Sequence, residues 1–173
     1  MSFLEQLLPN AYQIPERFIE ATLETLYMTL VTCLIGFALG LALGIWLVVT
    51  MPGGLKENSA VYSFLDKLVN IFRSIPFVIL MALLVGLTRL IVGTSIGTTA
   101  AIVPLVISTI PFYARQIQNT LVELDPGMIE AARSMGLGTW DIISRVYLRE
   151  GLPGIIRASS LSIITVISLT AMA

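Results

Sequence analysis

The chain has 173 residues, 56% of them hydrophobic and only 12% charged, with a mean hydropathy of +0.90 and a net charge of −1. A soluble domain of this size has no core large enough to hide so much apolar surface, so the composition predicts an integral membrane protein. With no global positive field and no basic cluster, nucleic acid is excluded as a partner; with no His and a single Cys, Cys33, so are a disulfide framework and an ordinary zinc site within one chain.

Residues 1–20 are acidic rather than basic and carry Pro9 and Pro15, which is unlike a cleavable signal peptide and reads as a short amphipathic or irregular lead-in. Residues 26–50 are almost unbroken apolar sequence, long enough at about 1.5 Å per residue to cross a hydrocarbon layer of about 30 Å. Within this first span Gly36, Gly40 and Gly44 recur at every fourth position, the spacing that lets a neighbouring helix approach closely. Met51-Pro52-Gly53-Gly54 then breaks the helix. Over residues 61–72 the apolar side chains keep helical spacing opposite Asp66, Asn70 and Arg73, which predicts an amphipathic helix lying at the membrane interface.

A second span follows at 75–92, with Pro76 starting or kinking it and Arg89 near its end, where a long cation can snorkel to the surface. A turn at 93–97 leads to a third span at 98–113, bent locally at Pro104 and Pro111. The fourth begins near Ile155 and stops at Ala173, too soon to cross, so the sequence predicts an all-α polytopic membrane protein truncated in its fourth transmembrane helix. Residues 1–173 are expected to form one transmembrane domain, incomplete at its C-terminus, with a cytoplasmic loop at 124–154 inside it. The orientation follows from Lys and Arg, which crowd the 51–73 and 115–157 regions; this places the loop in the cytoplasm and the N-terminus outside.

That loop is the only long polar interruption in the chain. Asp125 suits a helix N-cap, Pro126 the first helical position, and Gly136 a helix end with positive φ, giving a helix over 126–135. A second helix is expected to start with Thr139 as its N-cap and to present Ile142, Ile143, Val146 and Tyr147 along one side. Glu130 with Arg133, and Asp141 with Arg145, are spaced to pair on an exposed face. Two rods on a glycine corner make a lever and not a catalytic site; the plainer alternative is a hairpin resting on lipid headgroups.

These residues also resemble a known family. Glu130-Ala131-Ala132, three residues, Gly136, nine residues, Val146, one residue and Leu148 are similar to the E-A-A-x3-G-x9-I-x-L-P signature of the permease subunits of ABC importers. Val146 stands for Ile, and Arg149 stands where the signature has Pro; Leu152-Pro153-Gly154 is expected to end the helix instead. Asn70-Ile71-Phe72-Arg73-Ser74-Ile75-Pro76-Phe77, Val92 to Gly97 and Ala100 to Leu105 narrow the resemblance to the methionine importer permeases, from about Leu23 onward.

The resemblance implies an inner-membrane permease moving D- or L-methionine by alternating access. It implies two ATP-binding subunits, a second copy of the permease and an extracytoplasmic substrate-binding lipoprotein as partners, with Glu130, Ala131, Ala132, Gly136, Val146 and Leu148 coupling to the ATPase. The chain carries no Gly-rich phosphate cradle of its own, no set of paired acids within a span, and no expected cofactor or metal. Ser168, Thr170 and Met172 are candidate pore residues by their small, polar or soft side chains, against the alternative of ordinary helix packing. A permease for another small polar solute, or a membrane scaffold that merely docks a partner, are the competing functions.

Overall fold

The structure, a computed structural model, describes residues 15–173. Most of the expected lead-in, including Pro9, lies outside the described residues, and the remainder of it is already helical. All regular elements among the described residues are helices, and three of them are long and apolar enough to cross a membrane.

The first helix, α1 (Pro15–Thr50), starts eleven positions before the apolar run at Leu26, because nothing between Pro15 and Thr50 breaks it. Pro15 is tolerated at a helix start, and the Thr22 and Thr25 hydroxyls donate back to the carbonyls of Phe18 and Ala21. At 36 residues it is about 54 Å long, well beyond the hydrocarbon thickness. Helix α5 (Thr98–Val122) lies along it in the most extensive interface of the fold.

Glycine makes that approach possible. A Cβ on Gly36 would sit 2.8 Å from Thr109 Cγ2; one on Gly40, 3.0 Å from the Ile110 carbonyl oxygen; one on Gly44, 2.7 Å from both the Ala114 carbonyl oxygen and Ile117 Cβ. Phe37 stacks on Tyr113 between them, with ring centroids 4.3 Å apart. The α5 helix runs without interruption through Pro104 and Pro111 and continues past the span expected at 98–113 to Val122.

The segment between α1 and α5 differs from expectation. Helix α2 (Ser59–Ser74) is capped by Asn58, whose side chain accepts from Val61 N–H at 3.1 Å. It does not lie flat at an interface: it climbs antiparallel to α5, with Tyr62 meeting Gln118, Asp66 and Asn70 meeting Arg115, and Phe72 beside Ile107 and Pro111. Ile75 and Pro76 then adopt extended backbone, and α3 (Phe77–Leu83) and α4 (Val85–Val92) carry the climb on. Val78 and Thr88 share a cavity with Gly97 and Pro104, at the opposite end of α5. The second traverse is therefore one broken rod from Ser59 to Val92 and not a short span preceded by a surface helix.

The polar side of α2 explains the difference. Arg115 donates to Asp66 Oδ1 at 2.7 Å, to Asn70 Oδ1 at 3.0 Å and to Gln118 Oε1 at 2.7 Å, while Asn70 donates to Asp66 Oδ2 at 3.1 Å. The amphipathic pattern thus serves an internal polar contact with α5 on one side, and the packing of Leu65 and Val69 against Leu47 on the other. The far ends of α1 and α5 are joined as well, by Thr98 Oγ1 donating to Glu24 Oε1 at 2.9 Å.

The last helix, α9 (Leu152–Thr170), packs on both α5 and α1 through Ala158, Ser162, Val166 and Thr170, a buried stripe at every fourth position. The Tyr113 hydroxyl and Ser159 Oγ are 2.8 Å apart across the α5–α9 contact.

Candidate functional site: the loop between α5 and α9

The loop opens with Asp125, whose carboxylate accepts from Gly127 N–H at 2.8 Å, and with Pro126 in the first turn of α6 (Pro126–Ser134). Its C-terminal end is closed by two backbone bonds, Gly136 N–H to the Arg133 carbonyl at 2.9 Å and Leu137 N–H to the Ala132 carbonyl at 3.1 Å. This reciprocal pair needs a residue in the left-handed region, and Gly136 has φ +79°. Nothing lies within 4 Å of where its Cβ would be, so conformation and not space demands glycine there.

After the corner, α7 (Thr139–Ile142) is capped by Gly138, with Thr139 the first helical residue instead of the expected N-cap. The next five residues, Ile143–Tyr147, form a π-helical segment in which Leu148 N–H reaches back five positions to the Ile143 carbonyl. A single turn, α8 (Leu148–Glu150), follows. Leu152-Pro153-Gly154 does not terminate this run. Gly151 keeps right-handed helical backbone, its N–H bonds the Tyr147 carbonyl at 3.0 Å, and Pro153 sits in the first turn of α9. Helical backbone bonding thus carries from the second half of the loop into the last long helix.

Ile142, Ile143 and Tyr147 are buried and Val146 is half-buried, as the apolar spacing predicts. Ile143 and Tyr147 join Val48, Val49, Ile117, Leu121 and Ala158 in one cluster that seats the loop on the ends of α1, α5 and α9. Burial pushes the Tyr147 hydroxyl above its usual pKa, and the nearby charge of Arg133 partly offsets this.

Of the two expected ion pairs, Asp141 and Arg145 approach to 3.5 Å on an exposed face. Arg133 instead turns away from Glu130 and donates to the Gly54 carbonyl at 3.0 Å, tying α6 to the turn between α1 and α2. Beside that contact lies a cavity of about 180 Å³ between the Met51–Gly53 turn and α6, with Glu130 on its rim.

The signature residues divide by burial. Ala132 is 2% exposed, where only a small side chain lets α6 approach its neighbours. Glu130 and Ala131 face outward, and Leu148 is half-buried. Arg149, in the place of the signature proline, is exposed within α8. The outer surface of the loop also carries Met135 and Trp140, which are 72% and 77% exposed.

Two positions that spacing alone did not single out are Gly151 and Gly154. A Cβ on either would collide, with Leu121 and the Tyr147 carbonyl in the first case and with Thr120 in the second. A glycine beside a proline reads as a helix ending, and only the neighbouring α5 shows it to be a close contact.

Residues 36–173 match the family described as binding-protein-dependent transport system inner membrane component. The chain belongs to that family. It is 46% identical over 154 residues to the D-methionine transport system permease protein MetI of Salmonella typhimurium, covering 89% of this chain and 71% of that one. It is 49% identical over 149 residues to the protein of the same description from Yersinia pestis, covering 86% and 69%. Among solved structures it superposes on a chain of the MetNI methionine ABC transporter in an inward-facing conformation. There the TM-score is 0.88 at 42% identity, with 99% of this chain and 76% of that one covered.

In this family member the three candidate pore residues do not share an environment. Thr170 is buried, its hydroxyl donating to the Ile167 carbonyl at 2.7 Å, whereas Ser168 is exposed on α9 and Met172 is exposed in the turn that follows it. The three therefore do not form one lining within a single copy of the chain.

Proposed function

We propose that the chain is the transmembrane permease subunit of an ATP-driven importer that carries methionine, in the D or L form, across the inner membrane by alternating access. The relatives described as D-methionine permeases, at 46% and 49% identity over most of both chains, support methionine as the solute. A second copy of the permease, two ATP-binding subunits and an extracytoplasmic substrate-binding lipoprotein complete the assembly, and ATP is hydrolysed by the partner subunits.

The observation that carries the mechanism is the build of the loop. It is a stiff bent handle: α6 is held by Arg133 on Gly54, the corner is fixed by Gly136, and the second rod continues through Gly151 into α9. Its inner side is seated in the fold, while Glu130, Ala131, Met135 and Trp140 remain outward for an ATPase groove. Movement of that groove on ATP binding acts on α9 directly and on α1 and α2 through the Gly54 contact. The Lys and Arg distribution supports a cytoplasmic loop and an external N-terminus.

The test is ATP-dependent uptake of labelled methionine into proteoliposomes holding the permease with its ATPase and the external binding protein, together with cross-linking from position 130 or 146. Uptake, with cross-links to the ATPase, is the expected result. Cross-links to phospholipid alone would leave the loop a surface hairpin, and uptake of a different solute would reassign the cargo.

A further inference from the structure

The break between α2 and α3 opens a cleft of about 290 Å³ against α5 and α9, just below the usual range for small-molecule pockets, about 300–1,000 Å³. Its depth is informative. Ser108 on α5 lies about 20 Å of helix rise from Val122, and Thr165 on α9 lies about as far from Leu152, so the cleft falls near the middle of the α5 traverse. Mid-depth beside an interrupted helix is where membrane transporters place a solute.

The lining has three chemistries. Arg73, at the end of α2, is the one charged residue that lines the cleft and, among the described residues, takes part in neither of the two ion pairs. A guanidinium matches a carboxylate in shape and charge. Ser108 donates its hydroxyl proton to the Leu105 carbonyl at 2.9 Å, and Thr165 donates its own to the Leu161 carbonyl at 3.0 Å. Each has committed its single proton to its own helix, which leaves oxygen lone pairs as acceptors, the complement of an ammonium group. Phe72, Phe77, Phe112 and Leu169 supply apolar walls.

The geometry points to a transit site for a zwitterionic amino acid with an apolar side chain, in which Arg73 takes the carboxylate, Ser108 and Thr165 take the ammonium, and the aromatic wall takes the side chain. This rests on the import reading above and adds to it that the permease itself discriminates the solute. Arg73 is then a binding residue, whereas Arg89, exposed on α4 and absent from the cleft lining, is not.

The test is equilibrium binding of labelled methionine to the purified permease–ATPase complex. The competitors are norleucine, 3-(methylthio)propylamine, which lacks the carboxylate, and 3-(methylthio)propionate, which lacks the amine. The wild type is expected to bind norleucine comparably and each truncated analogue at least about tenfold more weakly, the usual size of a lost charge-assisted hydrogen bond.

Arg73→Gln should abolish discrimination against the carboxylate-free amine while preserving discrimination against the amine-free acid. The Ser108→Ala, Thr165→Val double variant should do the reverse, and Arg89→Gln should change neither. Because the readout is a ratio between analogues, a general loss of stability does not imitate it. Absence of saturable binding by the wild type, or unchanged ratios in both cleft variants, overturns the site; if ATP-driven methionine uptake persists in that case, the import reading survives. No uptake of any amino acid by the wild-type assembly removes both.

Discussion

Gly44 and Gly136 show two different reasons for the same residue, and the contrast separates the long apolar helices from the polar loop between α5 and α9. Around Gly44 the backbone is ordinary helix and space is the constraint: the Ala114 carbonyl and Ile117 stand where a Cβ would go. Around Gly136 space is open and the constraint is a φ of +79°. The first kind of glycine holds two long rods together. The second sets the angle between two short ones, and so determines where a surface points without contributing much to what keeps the protein folded.

The largest effect is expected from crowding the rods. Gly44→Val should destabilise by about 3 kcal/mol or more, since the facing atoms include backbone that cannot swing aside, and should appear as a collapse of folded yield and of thermal midpoint in detergent. A mild effect would mean that α1 and α5 slide freely, which would blur the contrast. Next comes the polar contact between α2 and α5. Asp66→Ala leaves Arg115, whose side chain is only 16% exposed, without its carboxylate, at a cost of about 1–3 kcal/mol. The Asp66→Leu, Arg115→Leu pair should recover much of that in the same thermal assay.

Gly136→Val should cost only about 1–2 kcal/mol, the penalty of a left-handed side-chain residue, and so lower the midpoint by only a few degrees, yet should abolish ATP-driven uptake while insertion is kept. Normal uptake by that variant would show that the corner does not aim anything. The smallest change is expected on the loop surface, where Asp141→Asn removes an exposed pair at 3.5 Å worth about 0.2–0.5 kcal/mol. A thermal midpoint shift larger than that would mean the loop has a structural share this comparison denies it.

How far these features were legible in the sequence depends on the range of the forces that set them. The Asp125 cap, Pro126, the Gly136 corner and the Ile142–Tyr147 apolar side are local, and local chemistry predicted them. The Gly36, Gly40 and Gly44 spacing pointed to a close neighbour without naming α5. The direction of α2 was misjudged because an amphipathic pattern looks the same whether its polar side meets water or Arg115 on another helix. Spacing pairs Arg133 with Glu130 for the same reason, whereas six atoms of side chain from Cβ to Nη2 are long enough to reach the Gly54 carbonyl instead. The pause at Leu84, between α3 and α4, carries no proline or glycine of its own, and nothing in the structure explains it.

The π-helical segment fixes something that none of its side chains does individually. One residue added to a turn advances everything downstream by about 100° around the helix axis. Without that insertion between Ile143 and Tyr147, the stripe of Ala158, Ser162, Val166 and Thr170 would be rotated off its neighbours and an exposed flank of α9 would take its place. The azimuth of the final rod is thus set by a backbone miscount made before that rod begins.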